Sequence, residues 1–145
     1  MGSRSAIELL QLPVQLNGIR LGRAIDLLLG TGEWRALGFV VLCGDEIRRF
    51  LVFAAGDLEE YAIEVRSAFL LLEDVDFYSD RSRSLRELLG GEVVNGQQEL
   101  GELRDLLVRS DGGVEALLVE DSGSVCEIRP VGTTVESGQV SPARG

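Results

Sequence analysis

The feature that most constrains this chain is a recurrence of its own sequence at an offset of 79 residues. Ser5, Glu8, Leu9 and Leu10 fall on Ser84, Glu87, Leu88 and Leu89, and Val14 falls on Val93. Leu21, Gly22, Asp26, Leu27 and Leu28 fall on Leu100, Gly101, Asp105, Leu106 and Leu107. Leucine is abundant, so its matches carry less weight, but composition does not explain the paired Gly and Asp positions. Identities held in one register predict a duplicated unit. We place the first copy at 5-75, the second and shorter one at 84-131, and a flexible tail at 132-145. Residues 73–83 are polar and charged and read as a solvated linker.

Each copy opens with the same local chemistry. Ser5 with Glu8, and Ser84 with Glu87, fit a capping box, which starts a short helical turn. Pro13 and Gly90-Gly91 stop that turn. The pattern then changes to period two. Ile19, Leu21, Ile25, Leu27 and Leu29 share one face and Arg20, Ala24 and Asp26 the other, which predicts a half-buried strand over Ile19–Leu29 with a bulge beside Gly22. Asn17-Gly18 and Asn95-Gly96 are hairpin dipeptides ahead of the long strands. Residues 34–43, 48–53 and 61–65, with an apolar segment at 69–72, complete the first unit; 114–119 and 125–131 are their counterparts in the second. The expected core is Leu21, Ile25, Leu27, Phe39, Val41 and Leu51, with Leu100, Leu106, Leu117 and Val119.

The balance of charge and residue types excludes several functions. The formal charge is −10, and no basic patch is legible among the fourteen arginines, which argues against binding to nucleic-acid phosphates. Histidine is absent, so Ser-His-Asp and Cys-His hydrolases are excluded, and Cys43 and Cys126 lack metal-ligand spacing. We expect no catalytic, cofactor or metal residues. No apolar run is long enough to span a bilayer and residues 1–5 have no apolar signal region, so a cytoplasmic location is expected.

The order of parts carries a resemblance. Asn17-Gly18 follows a short apolar lead-in, and Leu21-Gly22 is followed by Ile25-Asp26-Leu27-Leu28. Leu37-Gly38-Phe39-Val40-Val41 comes next, then Arg49-Phe50-Leu51-Val52-Phe53, and a similar order recurs from 88 to 128. Residues 12–72 resemble the PRC-barrel family, with Val52 standing where the family usually has proline. The resemblance implies a mainly β chain of two small, strongly bent β-barrels in tandem, with short helical turns. It also implies a non-catalytic role in protein–protein docking or assembly. The alternative is a small-ligand-binding or sensor protein with a pocket between the two units.

Several residues are candidates for a site. Asp26 and Asp105 could line a shared metal or proton site, but a capping or outer-face role is the better reading. Glu73, Asp74, Asp76 and Asp80 lack the Gly and Glu positions of a calcium loop. Asp111-Gly112-Gly113 reads as a turn rather than a phosphate cradle. Trp34, Phe39, Phe50 and Phe53 read as core rather than an aromatic pocket, while Arg35, Arg48 and Arg49 could face an acidic partner. The second copy lacks a segment to match 61–72, which predicts a homodimer, cover from the tail around 133–140, or cover from the first unit.

Overall fold

The computed structural model describes residues 2–136, and the long strands follow from hairpin turns set between apolar runs. The first half contains β1 (Arg4–Ser5), α1 (Ala6–Leu9), β2 (Pro13–Leu16), β3 (Ile19–Leu29), β4 (Ala36–Cys43) and β5 (Arg48–Val52). It continues through β6 (Asp57–Leu58), β7 (Ile63–Glu64), β8 (Leu71–Leu72) and α2 (Val75–Ser79). The second half contains β9 (Arg83–Ser84), α3 (Leu85–Leu88), β10 (Glu92–Asn95) and β11 (Gln98–Val108). It ends with β12 (Val114–Asp121), β13 (Ser124–Ile128) and β14 (Thr133–Val135). The fold is mainly β with short helices.

The strands form two sheets with related order. One runs β6-β7-β2-β3-β4-β5-β8 and the other β13-β12-β11-β10-β14. No pairing joins the outermost strands of either sheet among the described residues. Both long strands carry irregularities at equivalent places. Leu21 is the extra residue opposite β2, as Leu100 is opposite β10. Ile25 is extra against β4, as Arg104 is against β12. At the paired glycines, Gly101 holds φ +132°, and a Cβ there would stand 2.4 Å from the Glu120 carbonyl oxygen; at Gly22 it would stand 2.6 Å from that of Leu42.

The lead-in of each half bonds to the other half's sheet. β1 lies antiparallel on β11, pairing Ser5 with Leu107, and β9 lies antiparallel on β3, pairing Ser84 with Leu28. A single core therefore spans both halves, with Leu27, Phe39 and Leu51 joined to Leu103, Leu106 and Leu117, and with Leu9 and Leu88 from the two turns.

The expected phase of β3 needs correction in its first half. Ile19 is 67 % exposed, Leu21 and Ile25 are half-buried, and Ala24 is fully buried. The bulge at Ile25 is the reason: it shifts the alternation by one, so Ala24 shares the inner side with Leu27 and Leu29. Leu100 is likewise half-buried beside its bulge, whereas Leu27, Phe39, Val41, Leu51, Leu106, Leu117 and Val119 are buried as expected.

The turns and connections also differ in detail. Asn17 and Gly18, at φ 53° and 80°, form the first two-residue loop. In the second copy the loop is Gly96-Gln97, and Asn95 ends β10 opposite Gln98. The positive φ falls on Gly96, which preserves the 79-residue register. The segment 73–83 is not merely a linker: α2 forms there and sets Val75 and Tyr78 against Phe50, Val40 and Leu28 on the outer face of the first sheet. Of the expected strand at 125–131, β13 covers the first part and Val131 is exposed. Phe69 points outward rather than into a core. From the tail, β14 pairs with β10; residues 137–145 lie outside the described residues.

Candidate docking surface

Asp26 and Asp105 are brought to equivalent places by the exchange of lead-ins. The Ser5 hydroxyl donates to Asp105 Oδ2, while Asp105 Oδ1 accepts the backbone N–H groups of Ile7 at 3.1 Å and Leu106 at 2.7 Å. The Ser84 hydroxyl donates to Asp26 Oδ2, and Asp26 Oδ1 accepts from Arg86 N at 3.2 Å and Leu27 N at 2.8 Å. Each serine oxygen also accepts the N–H three residues on, at Glu8 and Glu87. Each carboxylate is thus taken up by the serine hydroxyl and one free N–H of the other half's first turn, and by the N–H of the residue that follows it. No cluster of three or more His, Cys, Asp or Glu side chains suited to a metal occurs among the described residues.

The other candidate residues separate. Phe39 and Phe53 stack at 5.6 Å inside the main core, whereas Phe50 stacks on Tyr78 at 4.1 Å on the outer face. Trp34 donates its indole N–H to the Thr133 carbonyl at 3.2 Å and lies under the Arg83 guanidinium. Burial of Arg83 lowers its pKa. Arg35 donates to the Asp111 carbonyl where the two β-hairpin loops meet, so it does not converge with Arg48 or Arg49. Asp111 holds the turn, accepting Gly113 N–H at 2.8 Å, and this bond followed by Arg109 draws its carboxyl below the usual range.

Two grooves remain. One, of about 640 Å³, is lined by Leu21, Cys43, Ala68, Phe69 and Leu72, with Glu73 at its rim. Phe69 sits in a single 3-10 turn, Ala68–Leu70, fixed by its backbone N–H donating to Ser67 Oγ at 3.1 Å, yet its side chain is 91 % exposed. Asp45 at this groove is held by Arg49 at 3.0 Å, which draws its carboxyl down, while Glu73 has no ion pair among the described residues. The sequence offered no sign that Phe69 would project, because an apolar run read alone looks like core.

The other groove, of about 680 Å³, lies between the outer face of the first sheet, α2 and the turn that opens the second copy. Ile25, Leu28, Val40 and Val75 line it, and Arg23 and Arg48 reach it without ion pairs among the described residues. The β13 edge is a third feature: β12 is its one neighbour among the described residues, and Val125 and Cys126 are exposed.

No helix among the described residues is long and apolar enough to cross a membrane. Compared with protein-family models and with curated proteins, the chain matches none.

Proposed function

We propose that the chain is a non-catalytic protein–protein docking or assembly module of the PRC-barrel type, built from two duplicated barrel-like units. The shared strand order, the bulges recurring at equivalent positions and the reciprocal lead-ins support the duplication. The observation that carries the docking role is Phe69, a large apolar side chain on a turn capped by the Ser67 hydroxyl oxygen, beside an apolar groove. Its exposure gains nothing for folding, since apolar area left in water contributes no burial energy. Glu73 at the rim, without an ion pair among the described residues, suits a partner segment with an apolar side chain next to a cation.

A photo-cross-linking residue at position 69 tests this, with one at Ser122 as control. One protein captured from position 69 alone, whose purified form no longer binds Phe69→Asp although that variant melts like the parent, is the expected outcome. Equal capture at both positions, or binding that survives Phe69→Asp, contradicts it.

The second reading, a small-ligand sensor, is favoured by the groove that joins an apolar floor to Arg23 and Arg48, which make no ion pair among the described residues. An anionic apolar dye that binds the parent chain but not an Arg23→Glu, Arg48→Glu variant supports it; equal binding to both excludes it.

A further inference from the structure

We infer that two copies of this chain pair antiparallel through their β13 edges, with Cys126 beside Cys126 on the two-fold axis. This concerns the second sheet and stands or falls separately from the docking role of Phe69.

The first sheet shows what this edge accepts. Its equivalent strand, β5, has the same edge closed by β8, which pairs Leu72 with Phe50 and Leu71 with Leu51 in antiparallel register. Among the described residues the second copy has no counterpart of β8, and the tail strand β14 goes to the opposite side of its sheet, on β10. The occupant that fits β13 is therefore another antiparallel strand.

Hydrogen-bond parity then limits the register. Asp121 and Ser124 flank a two-residue loop, Ser122-Gly123, with φ of 56° and 85°, so they bond to each other. Alternation along β13 turns the backbone groups of Cys126 and Ile128 toward β12 and those of Val125 and Glu127 toward open solvent. Directly opposite residues of a new antiparallel pair must have the same bonding type, so a two-fold axis has to pass through a residue. Centring on Glu127 sets two carboxylates face to face, which is unfavourable. Centring on Val125 engages little beyond Ser124 to Cys126 before the turn intervenes. Centring on Cys126 engages all of Ser124–Ile128, and Val125 exchanges both backbone bonds with Glu127 of the second copy.

This register makes a further demand. Cys126 meets its twin at a non-hydrogen-bonded position, where Cα atoms lie about 4.5 Å apart, within the span of roughly 4.4–6.8 Å that a disulfide bridges. Cys126 is a free, exposed thiol, and Cys43 is buried.

Sedimentation equilibrium of the full chain, with Val125→Asp and Val125→Arg variants, tests the pairing. The parent is expected to show twice the mass of one chain. Val125→Asp sets carboxylates opposite Glu127 at two symmetric places and weakens the dimer about tenfold; Val125→Arg sets cations there and leaves it as tight or tighter. Glu127→Pro removes an outward N–H without disturbing the β12 ladder, and abolishes the dimer. Diamide, which takes two electrons and two protons from a thiol pair, cross-links the parent into a disulfide dimer, and Cys126→Ser prevents the cross-link while keeping the non-covalent dimer. A single-chain mass throughout, equal weakening by Asp and Arg, or no Cys126 disulfide overturns the inference. So does a dimer that forms only when the chain is cut after Glu136, since the tail then holds the edge.

Discussion

Ser5 donates its hydroxyl hydrogen to Asp105, 100 residues away in sequence, and Ser84 does the same to Asp26 with the two copies reversed. Each first turn is therefore capped twice, once by its own serine and once by a carboxylate from the other copy. Removing either carboxylate takes the acceptor from a serine hydroxyl and two backbone N–H groups, all part-buried except the Arg86 N–H, which is exposed.

Asp26→Ala and Asp105→Ala are each expected to cost about 2–4 kcal/mol, since several bonds to a charged acceptor are lost together. Ser5→Ala should cost about 1 kcal/mol, the usual effect of losing a cap. Urea denaturation checks this, and a Ser5/Asp105 double-mutant cycle should show coupling. Losses within about 0.5 kcal/mol for both aspartates would count against the double cap.

The bulge at Ile25 sets which side chains of β3 reach the core. Leu27→Ala should cost roughly 2–5 kcal/mol, as truncation of a packed leucine does. Ile19→Ala, on the exposed start of the same strand, should change stability by no more than about 0.5 kcal/mol. Denaturant melts giving the two variants similar losses would place the bulge elsewhere.

Tyr78 stacks on Phe50 and helps α2 cover the outer face of the first sheet. Tyr78→Ala should destabilise by roughly 1–3 kcal/mol, and Tyr78→Phe should be nearly neutral because the ring makes the contact. Thermal melts distinguish them. Equal losses would mean that the hydroxyl matters and the stack does not.

Asp111 should titrate below the ordinary aspartate value of about 3.9, because the Gly113 N–H and then Arg109 favour its charged form. A carboxylate lowered in this way contributes stability above its unfolded pKa, and that contribution is lost as pH falls through the lowered folded value. Carbon-detected NMR titration of the carboxyl group measures the midpoint. Arg109→Ala should raise it only in part, since the backbone bond is the larger cause; a midpoint at or above the ordinary value contradicts the turn geometry.

Gly101→Ala should cost roughly 1–3 kcal/mol from backbone strain alone, because φ +132° is closed to a residue with a Cβ. The measurement is a denaturant melt beside Gly123→Ala, where no atom lies within 4 Å of the added Cβ and positive φ is the one cost. A smaller loss at Gly101 than at Gly123 would contradict the close approach to Glu120.

Much of the local structure was legible because its causes lie within a few residues. Ser5-Ala-Ile-Glu8 and Ser84-Leu-Arg-Glu87 carry their own cap, Asn17-Gly18 its own loop, and the apolar alternation around Leu106 and Leu117 its own strand character. The one-residue shift at Asn95 and the phase of Ala24 were not legible. A bulge is set by which residue the neighbouring strand leaves unpaired, and that partner is remote in sequence.

The sequence by itself determined a mainly β chain with a recurrence at 79 residues, two serine-capped turns and two long strands carrying a Gly and an Asp at matched places. Only the tertiary structure decided that the lead-ins exchange sheets, that Asp26 serves Ser84 as well as its own neighbour Leu27, that α2 covers one sheet, and that β14 closes β10 while β13 keeps an open edge among the described residues. The division has one physical reason. Caps, hairpin loops and period-two alternation depend on contiguous residues, whereas an acceptor for Ser84 58 residues away or a neighbour for an edge strand exists only once the chain has closed on itself.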